Sequence, residues 1–215
     1  MRTCLKDPIP ELFDAARYLD AAVSAHLDGD GDLADRLIRK ADMAPVRDWT
    51  ESLWGKGGPW TRPLPVSDQP PKLPKAERVP VRMPTAEERL ALLRRDGHHC
   101  RFCGLPVLDK RVREALRRHY PAALPWGRRN VEQHAAFQAL WLQYDHVLPH
   151  ARGGGNGLDN VVITCAPCNF GRTDLTLAEA GLCDPRDRPP VRSTWDGLER
   201  LFRPTPRGVP TIVCS

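Results

Sequence analysis

Residues 144–172 read YDHVLPHARGGGNGLDNVVITCAPCNFGR, and the placing of the other segments depends on how this one is read. An apolar run over Leu140–Leu148 predicts a first strand and Val161–Thr164 a second. Gly153, Gly154 and Gly155 let the connection between them turn. They do not form a phosphate-binding P-loop, because no Gly-Lys-Ser/Thr follows. Cys165-Ala-Pro-Cys168 then starts a helix, with Asn169 directly behind it.

A second Cys-x-x-Cys pair lies upstream at Cys100 and Cys103, followed by Gly104, a residue free to take the positive φ of a tight knuckle turn. Two thiolates three residues apart reach one metal. Cys100, Cys103, Cys165 and Cys168 together make the four-sulfur set that zinc takes in a closed, structural site. A two-strand hairpin with one helix buries too little apolar surface to stand alone, and a metal supplies the missing folding free energy. A redox dithiol would need a thioredoxin-like βαβ context, which the chain lacks. His98 and His99 are expected outside the metal's ligand set. Cys4, Cys183 and Cys214 are read as ordinary small residues.

Taken in order, Asp145-His146, Asn160 before the second strand, and Cys165-x-x-Cys168-Asn169 at the helix start resemble the HNH endonucleases. The spelling is that of HNN variants, since Asn169 stands where the family often has His. The resemblance covers roughly residues 90–180. It implies an α+β fold with a small zinc-stabilised ββα-metal core, here carrying inserted and N-terminal helices. It assigns His146 as general base, a role that a reference pKa near ~6.5 suits. It makes Asp145 and Asn169 the oxygen ligands of a catalytic Mg²⁺ or Mn²⁺. It gives Asn160 the task of pinning the loop backbone and so orienting His146. Arg172 is expected to hold a substrate phosphate bidentately; His150, at the mouth of the glycine loop, is read as a substrate contact, with an accessory metal ligand or a solvent-facing loop residue as the alternatives.

The bulk properties fit this reading. The 215-residue chain has a net charge of +5, and only six of its 32 basic residues are lysines, at 6, 40, 56, 72, 75 and 110. Arg presents a planar fork suited to phosphate, and the resemblance makes DNA the expected partner, with RNA left open. A GC-rich genome would give the same arginine bias. No apolar run approaches the ~18 residues of a membrane span, and no signal peptide is visible at the N-terminus. A cytoplasmic protein with no membrane partner is expected.

The chain divides on composition. Residues 1–55 predict two helices joined by the acidic turn Asp28–Asp32 and a third short helix, Val46–Trp54. This helical region has no chemical signature; docking of a protein partner or a second copy of the chain is the expected role. The acidic turn fails the calcium-loop pattern, because Leu33 and Arg39 stand where Gly and Glu are needed, and reads as a helix cap. Residues 56–84 hold a large share of the 22 prolines and predict a semi-rigid, extended linker that is also able to wrap over a domain surface. Residues 85–183 form the expected nuclease domain, opened by the capping box Thr85-x-x-Glu88. Its insertion holds a basic helix over Leu108–Tyr120 and a second helix from Asn130 with Val131, Ala135 and Leu140 inward. Residues 184–215 form a tail with a short helix, Trp195–Phe202.

Two readings remain. One is a metal-dependent endonuclease cutting DNA, in restriction or anti-phage defence or in mobile-element processing. The other is a zinc-stabilised nucleic-acid-binding module without cleavage.

Overall fold

Two antiparallel strands, β1 (Leu142–His146) and β2 (Val161–Cys165), form the sheet of the protein in a computed structural model that describes residues 1–54, 58–80 and 83–203. Leu142 faces Cys165 and His146 faces Val161, so the glycine loop joins the ends that carry Asp145 and His146. Helix α7 (Ala166–Arg172) leaves directly from β2 and packs against both strands. Pro167 sits in its first turn, where a missing N–H costs nothing.

The free edge of β2 is closed by polar groups from outside the sheet. Ile163 N–H donates to Asp96 Oδ2 at 3.0 Å, and Ile163 C=O accepts from Arg101 N at 2.8 Å. Arg95 reaches the Val161 carbonyl at 2.6 Å. Asp96 is only 1% exposed and sits at the end of α4 (Ala86–Asp96). That helix begins with the capping box: Thr85 N donates to Glu88 Oε2 at 2.6 Å and Glu88 N donates to Thr85 Oγ1 at 3.3 Å. An edge paired in this way offers no template to another chain.

The N-terminal helices pack onto this unit. α1 (Pro10–Leu27) buries Leu12, Ala15, Ala16, Leu19, Ala22 and Val23, one stripe at helical spacing. Asp30 caps α2 (Gly31–Ala41), its Oδ1 accepting from Leu33 N at 2.9 Å, so the acidic turn is a cap. In α3 (Ala44–Leu53), Trp49 is 2% exposed and donates its indole N–H to the Asp7 carbonyl at 2.8 Å. α3 packs on α7, and a single apolar cluster runs from Leu12 through Trp49 to Val161 and Cys168. The N-terminal region is thus continuous with the core of the ββα unit.

The insertion differs from the expected pair of helices. The basic helix is α5 (Lys110–His119). The stretch from Asn130 is a single 3₁₀ turn to Glu132, followed by the short α6 (Ala135–Ala139). The turn arises because the Glu132 carboxylate accepts from Arg128 N and Arg129 N, both at 3.1 Å, which holds the chain in a tight loop. Val131, expected inward, is 60% exposed. Arg113 is not on a solvated face: its guanidinium lies 3.8 Å from the Trp126 ring and is buried.

The last helix, α8 (Leu177–Ala180), is bridged to the chain's start by the Arg2–Leu182 pair. The tail holds a 3₁₀ turn, Glu199–Phe202, in place of the longer helix expected. Its segment at Arg188 ties to the metal knuckle, donating to the Arg101 carbonyl at 2.8 Å. Cys214 and the end of the tail lie outside the described residues. No helix among those described is long and apolar enough to cross a membrane. The architecture is α+β, with eight α-helices and this two-stranded sheet among the described residues.

Candidate metal centre and adjoining cavity

The four cysteines of the two pairs meet. Their sulfur atoms all lie within 4.8 Å of one another, and Cys103 Sγ and Cys165 Sγ are 3.6 Å apart. The upstream knuckle is set by Gly104, at φ +77°, and by a bond from Gly104 N to the Cys100 carbonyl at 2.9 Å. Cys165 ends β2 and Cys168 lies in the first turn of α7, so the cluster staples the knuckle to the strand–helix junction. Burial pushes the Cys100 thiol up, but hydrogen bonds from Cys103, Cys165 and Cys168 outweigh it and carry it well below its ordinary value. Burial, with Cys100 and Cys165, pushes Cys103 well above it, and the Cys168 hydrogen bond only partly opposes this. Thiols must ionise to ligate, and a cation lets all four do so. The four can hold a metal ion. His99 instead pairs with Ser193 Oγ at 3.2 Å, and His98 lies 3.7 Å from Glu199; neither joins the cluster.

A cavity of about 460 Å³ opens beside β1 and α7, with Asp145, His146, His150 and Asn169 in its wall. His146, the last residue of β1, is 5% exposed. Its Nε2 is 2.8 Å from Asn156 Oδ1. A carboxamide oxygen only accepts, so Nε2 carries the proton and Nδ1 is the basic nitrogen of the ring. Asn156 was not singled out in the sequence; its Asn-Gly neighbourhood reads as a turn and nothing more.

Asn160 holds the loop that carries Asn156. Its Oδ1 accepts from Leu148 N at 2.8 Å, while Nδ2 donates to Gly155 O at 2.8 Å and to Leu148 O at 3.2 Å. Gly154 passes so close to Leu148 that a Cβ there would collide with its carbonyl oxygen. At Gly153 the loop takes φ +91°. These two glycines are what allow the loop to fold back on the end of β1.

Asp145 and Arg172 face each other inside. Arg172, 1% exposed, sets Nη2 2.6 Å from Asp145 Oδ1 and Nε 3.1 Å from Oδ2. Its remaining N–H groups reach the carbonyls of His146 at 2.5 Å, Leu175 at 2.7 Å and Val147 at 3.4 Å. A guanidinium has five donors, and these contacts engage them all. The arginine expected on a phosphate is therefore committed to a carboxylate and three backbone oxygens. Burial pushes the Asp145 carboxyl above its ordinary range; Arg172 opposes this without overcoming it.

Asn169 is half-buried on α7 and directs Nδ2 toward Gln143 Oε1 at 3.5 Å. The cavity thus receives the carboxylates of Asp145 and Asp174 and the carboxamide of Asn169 as oxygen donors. His150 donates or accepts nothing toward His146; its Nε2 meets the Val79 carbonyl at 2.8 Å, on the proline-rich segment.

That segment is not free. Leu64 N donates to Glu179 O at 2.7 Å and Leu73 N to Ala151 O at 2.8 Å. Lys72 pairs with Asp174 at 2.7 Å, and Thr176 Oγ1 donates to Gln69 Oε1 at 2.5 Å. Of the two roles that extended composition allows, spacer or surface wrap, the chain takes the second, and Lys75 and Arg78 come to line the cavity. Comparison with protein-family models, with curated proteins and with solved structures finds no match to this chain.

Proposed function

We propose that the chain is a metal-dependent endonuclease of the HNH type that hydrolyses DNA phosphodiester bonds, built on a zinc-stapled ββα core. The observation that carries the reading is the convergence of His146, Asp145 and Asn169 on one cavity, over a loop that Asn160 holds by three hydrogen bonds.

Zinc is the metal proposed for the cysteine cluster. Sulfurs at ~2.3 Å around a tetrahedral ion lie roughly 3.8 Å from one another, close to the 3.6 Å between Cys103 and Cys165. Four thiolates with no fifth position make a structural site.

For the second metal, Asp145 and Asn169 are the residues that would hold Mg²⁺ or Mn²⁺. One carboxylate with amide, water and substrate oxygens is a donor set that such ions accept. When bound, the ion would neutralise charge on the scissile phosphate and on the departing oxygen. The protein's own part is acid–base and positional. His146 takes a proton from the attacking water at Nδ1, while Asn156 holds Nε2–H and fixes the ring plane. Arg172 holds Asp145 in place and compensates part of its charge.

The rival reading is a zinc-stabilised nucleic-acid-binding module without cleavage. It has one observation behind it, the engagement of both Asp145 oxygens by Arg172. A plasmid nicking assay with Mg²⁺ or Mn²⁺, with and without EDTA, separates the two. Metal-dependent conversion of supercoiled DNA that disappears in His146→Ala supports the nuclease. DNA binding with no cleavage under either metal supports the module.

A further inference from the structure

Once Arg172 is committed to Asp145, the ββα face of the cavity holds no lysine or arginine able to meet a phosphate. From this face come Asp145, His146, His150 and Asn169, with Asp174 beyond them. Among the described residues, the lysine and arginine that line the cavity come from the proline-rich strap, as Lys75 and Arg78. They flank a 3₁₀ turn, Lys75–Glu77. Neither makes an ion pair with an acidic side chain among the described residues, whereas Lys72 does, with Asp174.

The strap is held firmly enough to place them. On one side of the turn Leu73 N bonds Ala151 O at 2.8 Å, and on the other Val79 O meets His150 Nε2 at 2.8 Å. Arg78 is braced by its own Nε on the Leu73 carbonyl at 2.9 Å. Pro70, Pro71, Pro74 and Pro80 restrict the unbound chain, so fixing the segment costs less entropy than for an ordinary loop. Arg152, which also ties the strap through the Pro70 carbonyl, is itself locked on Glu179 at 2.7 Å.

We propose that residues 69–80 are the substrate-binding arm of the site, with Lys75 and Arg78 holding the DNA phosphates that flank the scissile one. This rests on the nuclease reading for the identity of the reaction, but not for the binding itself. The two cations of the strap and the His146–Asp145–Asn169 group line the same cavity, which would receive a single phosphodiester strand. His150 is then the contact that keeps the arm in register with the loop of His146.

The test is fluorescence anisotropy of the full-length zinc-loaded protein with a labelled DNA duplex, without added Mg²⁺ or Mn²⁺ and without chelator, across a salt series. Each phosphate contact contributes about 0.9 to the slope of log K against log salt. The double variant Lys75→Ala/Arg78→Ala should bind at least about tenfold more weakly at low salt and lose about 1.8 from that slope. Zinc content and thermal midpoint should stay unchanged. The charge-keeping variant Lys75→Arg/Arg78→Lys should recover most of the slope. An unchanged Kd and slope overturn the proposal. So do tighter binding or faster cleavage by the double variant, which would make the strap an inhibitory cover. Failure of the wild-type chain to bind DNA overturns this inference and the nuclease reading together. Wild-type binding with the expected slope change, but no cleavage under any metal, defeats the nuclease reading alone.

Discussion

Asp145 and Arg172 form a bidentate ion pair inside the protein, with contacts at 2.6 and 3.1 Å and neither side chain more than 6% exposed. They lie 27 residues apart, and the pair joins β1 to the end of α7. Removing one partner leaves a buried charge without compensation, a loss of roughly 3–5 kcal/mol. Arg172→Gln should therefore lower the denaturation midpoint markedly while the zinc content of the folded fraction holds. Adding Asp145→Asn in the same chain should recover part of the loss, because the orphaned carboxylate goes too. Denaturant titration of the single and double variants checks this. Additive losses would show that the pair is not coupled.

What the sequence made legible was local. The two Cys-x-x-Cys pairs, the capping box at Thr85, the cap at Asp30 and the strand over Val161–Thr164 each rest on residues a few positions apart, and spacing carries that information. The hold of Asn160 on the loop was implied by the family resemblance and not by its spacing. The partner of Arg172 was not legible. Whether a guanidinium meets a phosphate or a carboxylate depends on where a residue 27 positions earlier comes to lie. Asn156 was hidden by its Gly neighbours, which make any Asn look like a turn residue. The path of the proline-rich strap left no trace either, because extended segments have no apolar period to show which surface they cover. Val131 shows the opposite failure: a helical apolar spacing was present, and the carboxylate of Glu132 overrode it by bonding two successive backbone N–H groups.

The cysteine cluster should carry one zinc per chain, measured by metal analysis of protein purified without chelator. Cys100→Ser should lose that equivalent and much of the thermal stability, since metal binding and folding are linked. Cys183, half-exposed and outside the cluster, serves as the control: Cys183→Ser should keep both. A Cys100→Ser protein that is stable and retains one zinc would remove the structural role.

Stability should also fall in mild acid through His134. The ring is fully buried, with Nε2 2.9 Å from the Ile38 carbonyl, and burial lowers its pKa below 6.5 despite the nearby Asp42. The unfolded chain then binds a proton more readily than the folded one. The contribution of this residue is complete above pH 6.5 and is lost as pH falls from there through the folded-state pKa. His134→Gln keeps a donor toward Ile38 and cannot titrate. Its midpoint should decline less than wild type between pH 6.5 and 5 under zinc-buffered conditions. His26 and His99, also lowered by burial, remain in both proteins and leave a residual slope. Parallel pH curves for the two proteins would exclude His134 as the source.

The pairing of His146 with Asn156 leads to a kinetic prediction that separates orientation from chemistry. His146→Ala should abolish metal-dependent cleavage with zinc content and fold intact, because the alanine carries no base. Asn156→Ala leaves the base but releases Nε2–H, and the loss should be roughly 10–100-fold in kcat, the range found when a partner of a functional His is removed. Asn156→Asp is the decisive variant. A carboxylate 2.8 Å from Nε2, where the amide oxygen now sits, stabilises the imidazolium and raises the pKa of His146. A base must be neutral to act, so the acid limb of the pH–rate profile should move to higher pH, with the plateau above it close to wild type. An acid limb unchanged in Asn156→Asp would mean that His146 is not the titrating base, whatever the effect of the alanine variants.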